Sequence, residues 1–205
     1  MFKSLLLPFL LICSNILLAQ ENIQLPSLKA QIDSLYQVDQ QVQLDFIAAY
    51  QRGATMDSIM IYENIKNETF KRHIPIVKNI IATYGYPSIE KVGKESATNF
   101  FPLIQHADSD VNFQSDMLPI IKEQVEKGLI NGADYAFLYD RIKVNTGKKQ
   151  LYGTQLTYNE KHMAVPKPLK FKNGVNKRRA ELGMESLEDY LNKATELHKI
   201  MNGLD

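Results

Sequence analysis

Chemistry in this sequence concentrates in a few short stretches. Gln105-His106-Ala107-Asp108 places an imidazole two residues before a carboxylate, at what the surrounding pattern marks as a helix end followed by a turn. Imidazole is the side chain best suited to proton transfer near neutral pH, and a carboxylate beside it can orient the ring. His106 is therefore a candidate general acid or base and Asp108 its candidate partner. The same residues would also serve as helix caps, Asp108 on free amides and His106 on the last carbonyls. Asp110 adds a second carboxylate, but two carboxylates and one imidazole are a weak metal signature, so no metal ligand is assigned and the cofactor is left unknown.

Gln150-Leu151-Tyr152-Gly153-Thr154-Gln155 is the second stretch. As a strand it directs Gln150, Tyr152 and Thr154 to one face and Leu151, Gly153 and Gln155 to the other. A face of amide, phenol and hydroxyl either meets solvent or forms the polar wall of a pocket, with Gly153 admitting a close backbone approach. Two arginine-bearing pairs follow: Asp140-Arg141 in mid-helix, and Arg178-Arg179 on a short helix before Gly183. Guanidinium groups grip carboxylate or phosphate bidentately, or else form surface or internal ion pairs. Asp39 interrupts an apolar helical stripe, where it is either exposed at a kink or buried against a cation; Arg141 and Arg178 are the expected partners.

Helices must position these groups. Leu28, Ile32, Leu35, Val42, Phe46 and Ala49 recur at steps of three and four and mark one long amphipathic helix after Pro26. A second helical stretch runs from Asp57 to Tyr84, interrupted or restarted at Pro75 and stopped by Gly85 and Pro87. Helices follow from Lys94 to His106, and along Phe113, Met117, Ile121 and Val125 to Gly128, with Asp108 or Asp110 as cap. Another spans Ala133 to Asn145. The one convincing β signal is a hairpin, Gln150 to Tyr158 and Met163 to Val165 around a turn at Asn159-Glu160-Lys161. Helices at Gly174 to Leu182 and Ser186 to Met201 close the chain, the last opened by a Ser186/Asp189 capping box. The expected fold is mainly α, α-rich α+β: a single helical domain with one small β-hairpin.

The first residues read differently. Lys3, the apolar run Leu5 to Ile12 and the sequence Leu17-Leu18-Ala19 form a secretory signal with a small-residue cleavage site, so residues 1–19 are expected to be removed. Pro8, Ser14 and Asn15 break the run too early for a membrane anchor. Cys13 raises lipoprotein processing as a rival, but Ile12 is large for the residue before an acylated cysteine. The expected product is residues 20–205, one soluble secreted or periplasmic domain. Cys13 is the only cysteine, so that product has neither disulfides nor thiolate chemistry. Of 24 Lys and Arg only Lys3 lies within residues 1–19, and none of the 23 Asp and Glu does. The remainder is electrically balanced, which argues against a nucleic-acid binder or a basic membrane-surface patch.

Taken in order, Asp39-Gln40, Gly85-Tyr86-Pro87, Val92-Gly93, Gln105-His106-Ala107-Asp108, Phe113-Gln114, Asp140-Arg141, the stretch Gln150 to Gln155, and Val175 to Met184 before Leu187 and Tyr190 resemble a bacterial domain family defined by sequence, without an assigned biochemical function. The resemblance spans about Leu28 to Leu191. It implies no catalytic residue, cofactor or substrate; it implies a polar signature comprising His106, Asp108, Gln114, Asp140, Arg141, Gln150, Tyr152, Thr154, Gln155 and Arg178. Tyr86 stands where the family usually has tryptophan, and Pro102 enters a helix that normally lacks proline.

Two functions fit these residues. In one, they line a polar small-molecule pocket: His106 is the acid or base and Asp108 orients it. Gln105, Gln114, Asp140, Arg141, Gln150, Tyr152, Thr154, Gln155, Arg178 and Arg179 bind the ligand, and the chemistry is hydrolytic, since neither a phosphate-binding glycine loop nor a nucleophile elbow is present. In the other, the protein is a non-catalytic interaction module whose partner is an envelope protein, and the same residues form a buried network that fixes the helices on the hairpin. Both require His106, Asp108, Arg141, Tyr152 and Gln155 to converge.

Overall fold

The computed structural model describes residues 23–203; the signal stretch 1–19, Cys13 and the expected start at Gln20 lie outside the described residues. Eight helices and two strands follow in order: α1 Pro26–Gln51, α2 Met56–Tyr84, α3 Ile89–Val92, α4 Lys94–Gln105, α5 Val111–Glu126, α6 Gly132–Asn145, β1 Leu156–Tyr158, β2 Ala164–Pro166, α7 Val175–Glu181 and α8 Leu187–Asn202. The fold is mainly helical with one antiparallel hairpin, as the sequence leads one to expect.

Local chemistry sets the boundaries. Pro26 opens α1 at its first turn, where its missing N–H costs nothing. Asp110, rather than Asp108, caps α5 by accepting from Phe113 N at 3.0 Å, and Ser186 caps α8 by accepting from Asp189 N at 3.0 Å. Gly85, at φ +70°, ends α2 in a conformation that other residues adopt at a cost. The break expected at Pro75 does not occur. Phe70, Ile74, Val77 and Ile80 are buried on one continuous face of α2, and packing on both sides of the proline outweighs its one missing bond.

The main core is built by α1 (Leu28, Ile32), α2 (Ile74, Val77, Ile80), α4 (Phe100, Phe101, Leu103, Ile104), α5 (Phe113, Met117, Ile121) and α6 (Leu138, Ile142). A smaller cluster, Leu169, Val175 and Leu187 with Tyr190 and Leu191, lies under the C-terminal elements. Helix α6 joins the two. Its Leu138 and Ile142 enter the main core, while Phe137 meets Tyr190 edge-on at 6.2 Å. At its start, a Cβ on Gly132 would stand 2.5 Å from the Leu182 carbonyl oxygen, so only glycine permits that approach.

The hairpin is shorter than the sequence suggests. Register pairs Leu156 with Pro166, Thr157 with Val165 and Tyr158 with Ala164. Residues 150–155, expected to begin the first strand, form a non-strand segment in which only Gln150 makes an isolated bridge, to Leu169. The alternation of faces read into Gln150–Gln155 therefore does not hold. A buried carboxylate gathers this segment's amides instead of a partner strand.

Candidate functional site

Asp39 sits on the apolar stripe of α1 with 1% of its surface exposed. The expected arginine partner is not there: the cation-capable group is His106, at the C-terminal end of α4. His106 Nδ1 lies 2.9 Å from both Asp39 oxygens. Gln40 adds a donor, its Nε2 2.9 Å from Asp39 Oδ1. The other ring nitrogen, Nε2, stands 3.2 Å from Gln43 Nε2. This geometry suits the tautomer with its proton on Nδ1, donating to Asp39, and with Nε2 accepting from the Gln43 amide. Phe70 stacks on the imidazole at 4.5 Å and 13°, fixing the ring plane from α2.

Asp108 does not orient His106. Its carboxylate is engaged bidentately by Arg141, Nε to Oδ1 at 2.7 Å and Nη2 to Oδ2 at 2.5 Å. Asn145 Nδ2 adds a bond of 3.1 Å. Arginine forks match carboxylates better than a ring nitrogen does, which explains both corrections at once. Arg141 is held by Asp108 and is not free for Asp39, and Asp39 is left to the histidine. Burial by itself would raise the Asp108 carboxyl; the hydrogen bond and charge of Arg141 outweigh it and hold the group below the usual range. Gln114, fully buried, donates to the carbonyls of Ile104 (3.3 Å) and Gln105 (2.9 Å), closing the end of α4, and reaches Asp108 Oδ1 at 3.3 Å.

These groups border a cleft of about 650 Å³ lined by Gln43, Lys66, Asn67, Phe70, Gln105, His106, Asp108, Ser109 and Arg141. Four segments contribute: α1, α2, the end of α4 with the turn that follows it, and α6. Of the sequence-derived candidates, the cleft takes Gln105, His106, Asp108 and Arg141; Gln114 supports them from behind. Gln43, Lys66, Asn67, Phe70 and Ser109 also line it. The α2 residues have ordinary helical spacing, and only Asp39-Gln40 hinted that α1 takes part. A second histidine, His73, lies one turn along α2 from Phe70. Burial lowers its pKa below the ordinary value, with the Asp39 charge opposing, and its Nδ1 has no hydrogen-bond partner among the described residues.

The remaining candidates form a separate network around Asp140. Its fully buried carboxylate accepts from the backbone N–H groups of Leu151 (2.8 Å), Tyr152 (3.1 Å) and Thr154 (3.0 Å), and from the Thr154 hydroxyl (3.1 Å). Burial raises its pKa, with these bonds opposing. Gln150 Nε2 donates to the carbonyls of Gln155 and Lys167, both at 2.8 Å, and Gln150 Oε1 accepts from Gln155 N at 2.9 Å. Gln155 Nε2 turns back to the Thr154 hydroxyl at 3.3 Å.

Both arginines of α7 serve this network. Arg178 donates through Nη2 to the carbonyls of Leu151 (2.8 Å) and Phe171 (2.9 Å). Arg179, 1% exposed, donates to the carbonyls of Glu185 and Tyr152, both at 2.8 Å, and lies over the Tyr190 ring. Tyr152 packs edge-on against Tyr139 at 5.8 Å and Tyr135 at 6.4 Å, and burial pushes its phenol up to about 12. The expected single convergence is therefore two assemblies. Neither Tyr152 nor Gln155 lines the His106 cleft, and consecutive residues of α6 serve one assembly each.

Among the described residues no group of three or more His, Cys, Asp or Glu side chains is placed to hold a metal ion, and no helix is long and apolar enough to cross a membrane. A family model described as a family of unknown function (DUF6624) matches residues 26–200. Comparison with curated proteins and with solved structures gives no significant match.

Proposed function

From a chain that belongs to the DUF6624 family, whose function is unknown, there is no activity to inherit, and we propose on geometry that the His106 cleft is a polar small-molecule site with hydrolytic chemistry. The observation that carries this reading is the buried Asp39–His106 pair at the cleft wall. Asp39 holds Nδ1, which leaves Nε2 as the basic edge beside Gln43. A water in the cleft displaces the Gln43 amide from Nε2, gives its proton to that nitrogen and attacks an electrophilic carbon or phosphorus. The bond to the leaving group breaks, and the same proton passes from Nε2 to the departing atom. Lys66 and the amides of Gln43, Asn67 and Gln105 supply charge and hydrogen bonds to the developing oxyanion. Asp108 and Arg141 neutralise one another and act as a fixed wall.

The test is turnover of 4-nitrophenyl acetate, 4-nitrophenyl phosphate and bis(4-nitrophenyl) phosphate by the protein and its His106→Asn variant. Asparagine retains a donor for Asp39, and circular dichroism checks that the fold persists. Loss of about 100-fold or more in kcat/KM on a hydrolysed substrate is expected for removal of a general base. Turnover indifferent to the substitution overturns the reading.

The Asp140 assembly favours a second role for the other half of the signature: a buried network fixing the C-terminal elements on α6, as the interaction-module reading holds. Export belongs with either role. The signal stretch 1–19 supports a secreted or periplasmic protein beginning at Gln20, and mass spectrometry of exported material showing an acylated Cys13 would refute soluble export.

A further inference from the structure

We propose that the ligand of the His106 cleft is an amphiphile, a hydrolysable acyl head carrying an unbranched apolar tail, with the tail seated in the apolar groove that continues the cleft along α1. The proposal rests on the catalytic reading above and specifies its substrate class. Gln43 of the polar cleft begins a run at helical spacing, Gln43, Phe46, Ile47 and Tyr50, so these side chains share one face of α1 over two turns. The last three line a second cavity of about 320 Å³, completed by Tyr158 of β1 and by Leu197, His198 and Met201 of α8.

Lys66 joins the two spaces. It lines the polar cleft, and its ammonium sits 4.0 Å from the centre of the Phe46 ring, which lines the apolar groove. A cation at the boundary of a polar and an apolar compartment is where the carboxyl end of an acyl chain would be held.

Packed side chains build the walls of the groove. His198 is stacked on Tyr158 at 3.7 Å and 13°, and Asn202 donates to the His198 carbonyl at 2.7 Å, so α8 and β1 meet directly at the groove wall. Around it Tyr50 is 55%, Tyr158 42% and Leu197 57% exposed. Large apolar side chains held open beside a polar cleft recover that exposure when an apolar chain covers them. The volume of about 320 Å³ matches one unbranched tail, and the continuity with the polar cleft through Lys66 favours a single molecule with head and tail.

Binding of sodium alkanoates, butanoate to decanoate, is the test, since these are product-like heads on tails of rising length. Isothermal titration follows affinity, and tyrosine fluorescence, free of tryptophan but shared among ten tyrosines, follows Tyr50 and Tyr158 as the part of the change that is lost in Tyr50→Leu and Tyr158→Leu. Affinity should rise about four-fold per methylene until the groove fills. Leu197→Glu should flatten the series, while Leu129→Glu, at an exposed apolar site in the turn between α5 and α6, should leave it intact. A flat series in the unmodified protein, or a slope that survives Leu197→Glu, overturns the proposal. A flat series alongside turnover that still depends on His106 rejects the amphiphile and keeps the catalytic reading. A steep series with turnover indifferent to His106 supports the amphiphile and rejects the general base.

Discussion

Replacing Asp140 by alanine removes the common acceptor of three backbone N–H groups, those of Leu151, Tyr152 and Thr154, and of the Thr154 hydroxyl. The carboxylate is fully buried, so water does not take over these bonds without local opening. The three orphaned N–H groups cost about 1–2 kcal/mol each, the Thr154 hydroxyl being free to rotate, and roughly 1–2 kcal/mol returns because a charge is no longer buried. The expected net loss is about 3 kcal/mol, or about 6–12 °C in Tm for a domain of this size. Chemical denaturation followed by circular dichroism measures it, with an unchanged m-value showing that the same structure unfolds. The neighbouring Arg141→Gln is the internal comparison. Its bridge to Asp108 has side-chain exposures of 26% and 41%, so it should cost about 1 kcal/mol or less. An Asp140→Ala loss under about 1 kcal/mol, or one matched by Arg141→Gln, would refute the division of α6 into a buried anchor and a cleft wall.

Burial raises the Asp134 carboxyl to about 6, so the folded protein binds its proton more tightly than the unfolded chain and stability declines as pH rises from about 4 to 6; Asp134→Asn should remove that decline and add about 1–2 kcal/mol at pH 7.5 after screening, read from Tm across pH. His73 runs the other way, since its lowered pKa makes stability complete above about pH 6.5 and progressively lost as pH falls below it. His73→Leu should therefore flatten the thermal profile between pH 7 and 5, and an unchanged slope would show that His73 is not the group responsible. Gly153 has φ +76°, and an added Cβ would stand 2.7 Å from Leu187 Cδ1, so Gly153→Ala should cost about 1–3 kcal/mol in the same denaturation assay.

Helices were legible in this sequence because their apolar spacing and caps are local: Asp110, Ser186 and Gly85 each mark an end within one turn. Pro75 misled for a non-local reason, since the packing that carries α2 through it comes from α1 and α4. Residues 150–155 alternate like a strand because buried amides and hydroxyls alternate there too; what pulls them from a ladder is Asp140, more than ten residues earlier in the chain. The site was half legible. His106 and Asp108 stood out by type and proximity, yet being two residues apart suggested a pair that does not form, because competition with Arg141 decides where Asp108 turns. Asp39 was visible as an anomaly on its stripe. Lys66, Asn67 and Phe70 carried no signal, because only the docking of α2 on α1 gives them a common cavity.

The Asp39–His106 contact joins residues 67 apart in the chain, and the Asp108–Arg141 contact residues 33 apart. Closing loops of that length sacrifices chain freedom before any contact compensates it, so such pairs form late. The cleft is thus a property of the chain folded through α6. No fragment ending before α6 contains it, and a chain part-way through folding offers neither the basic nitrogen nor its fixed wall. Recovery of ligand binding after refolding should lag the recovery of helical signal, which makes the cleft a natural clock for the last step of assembly.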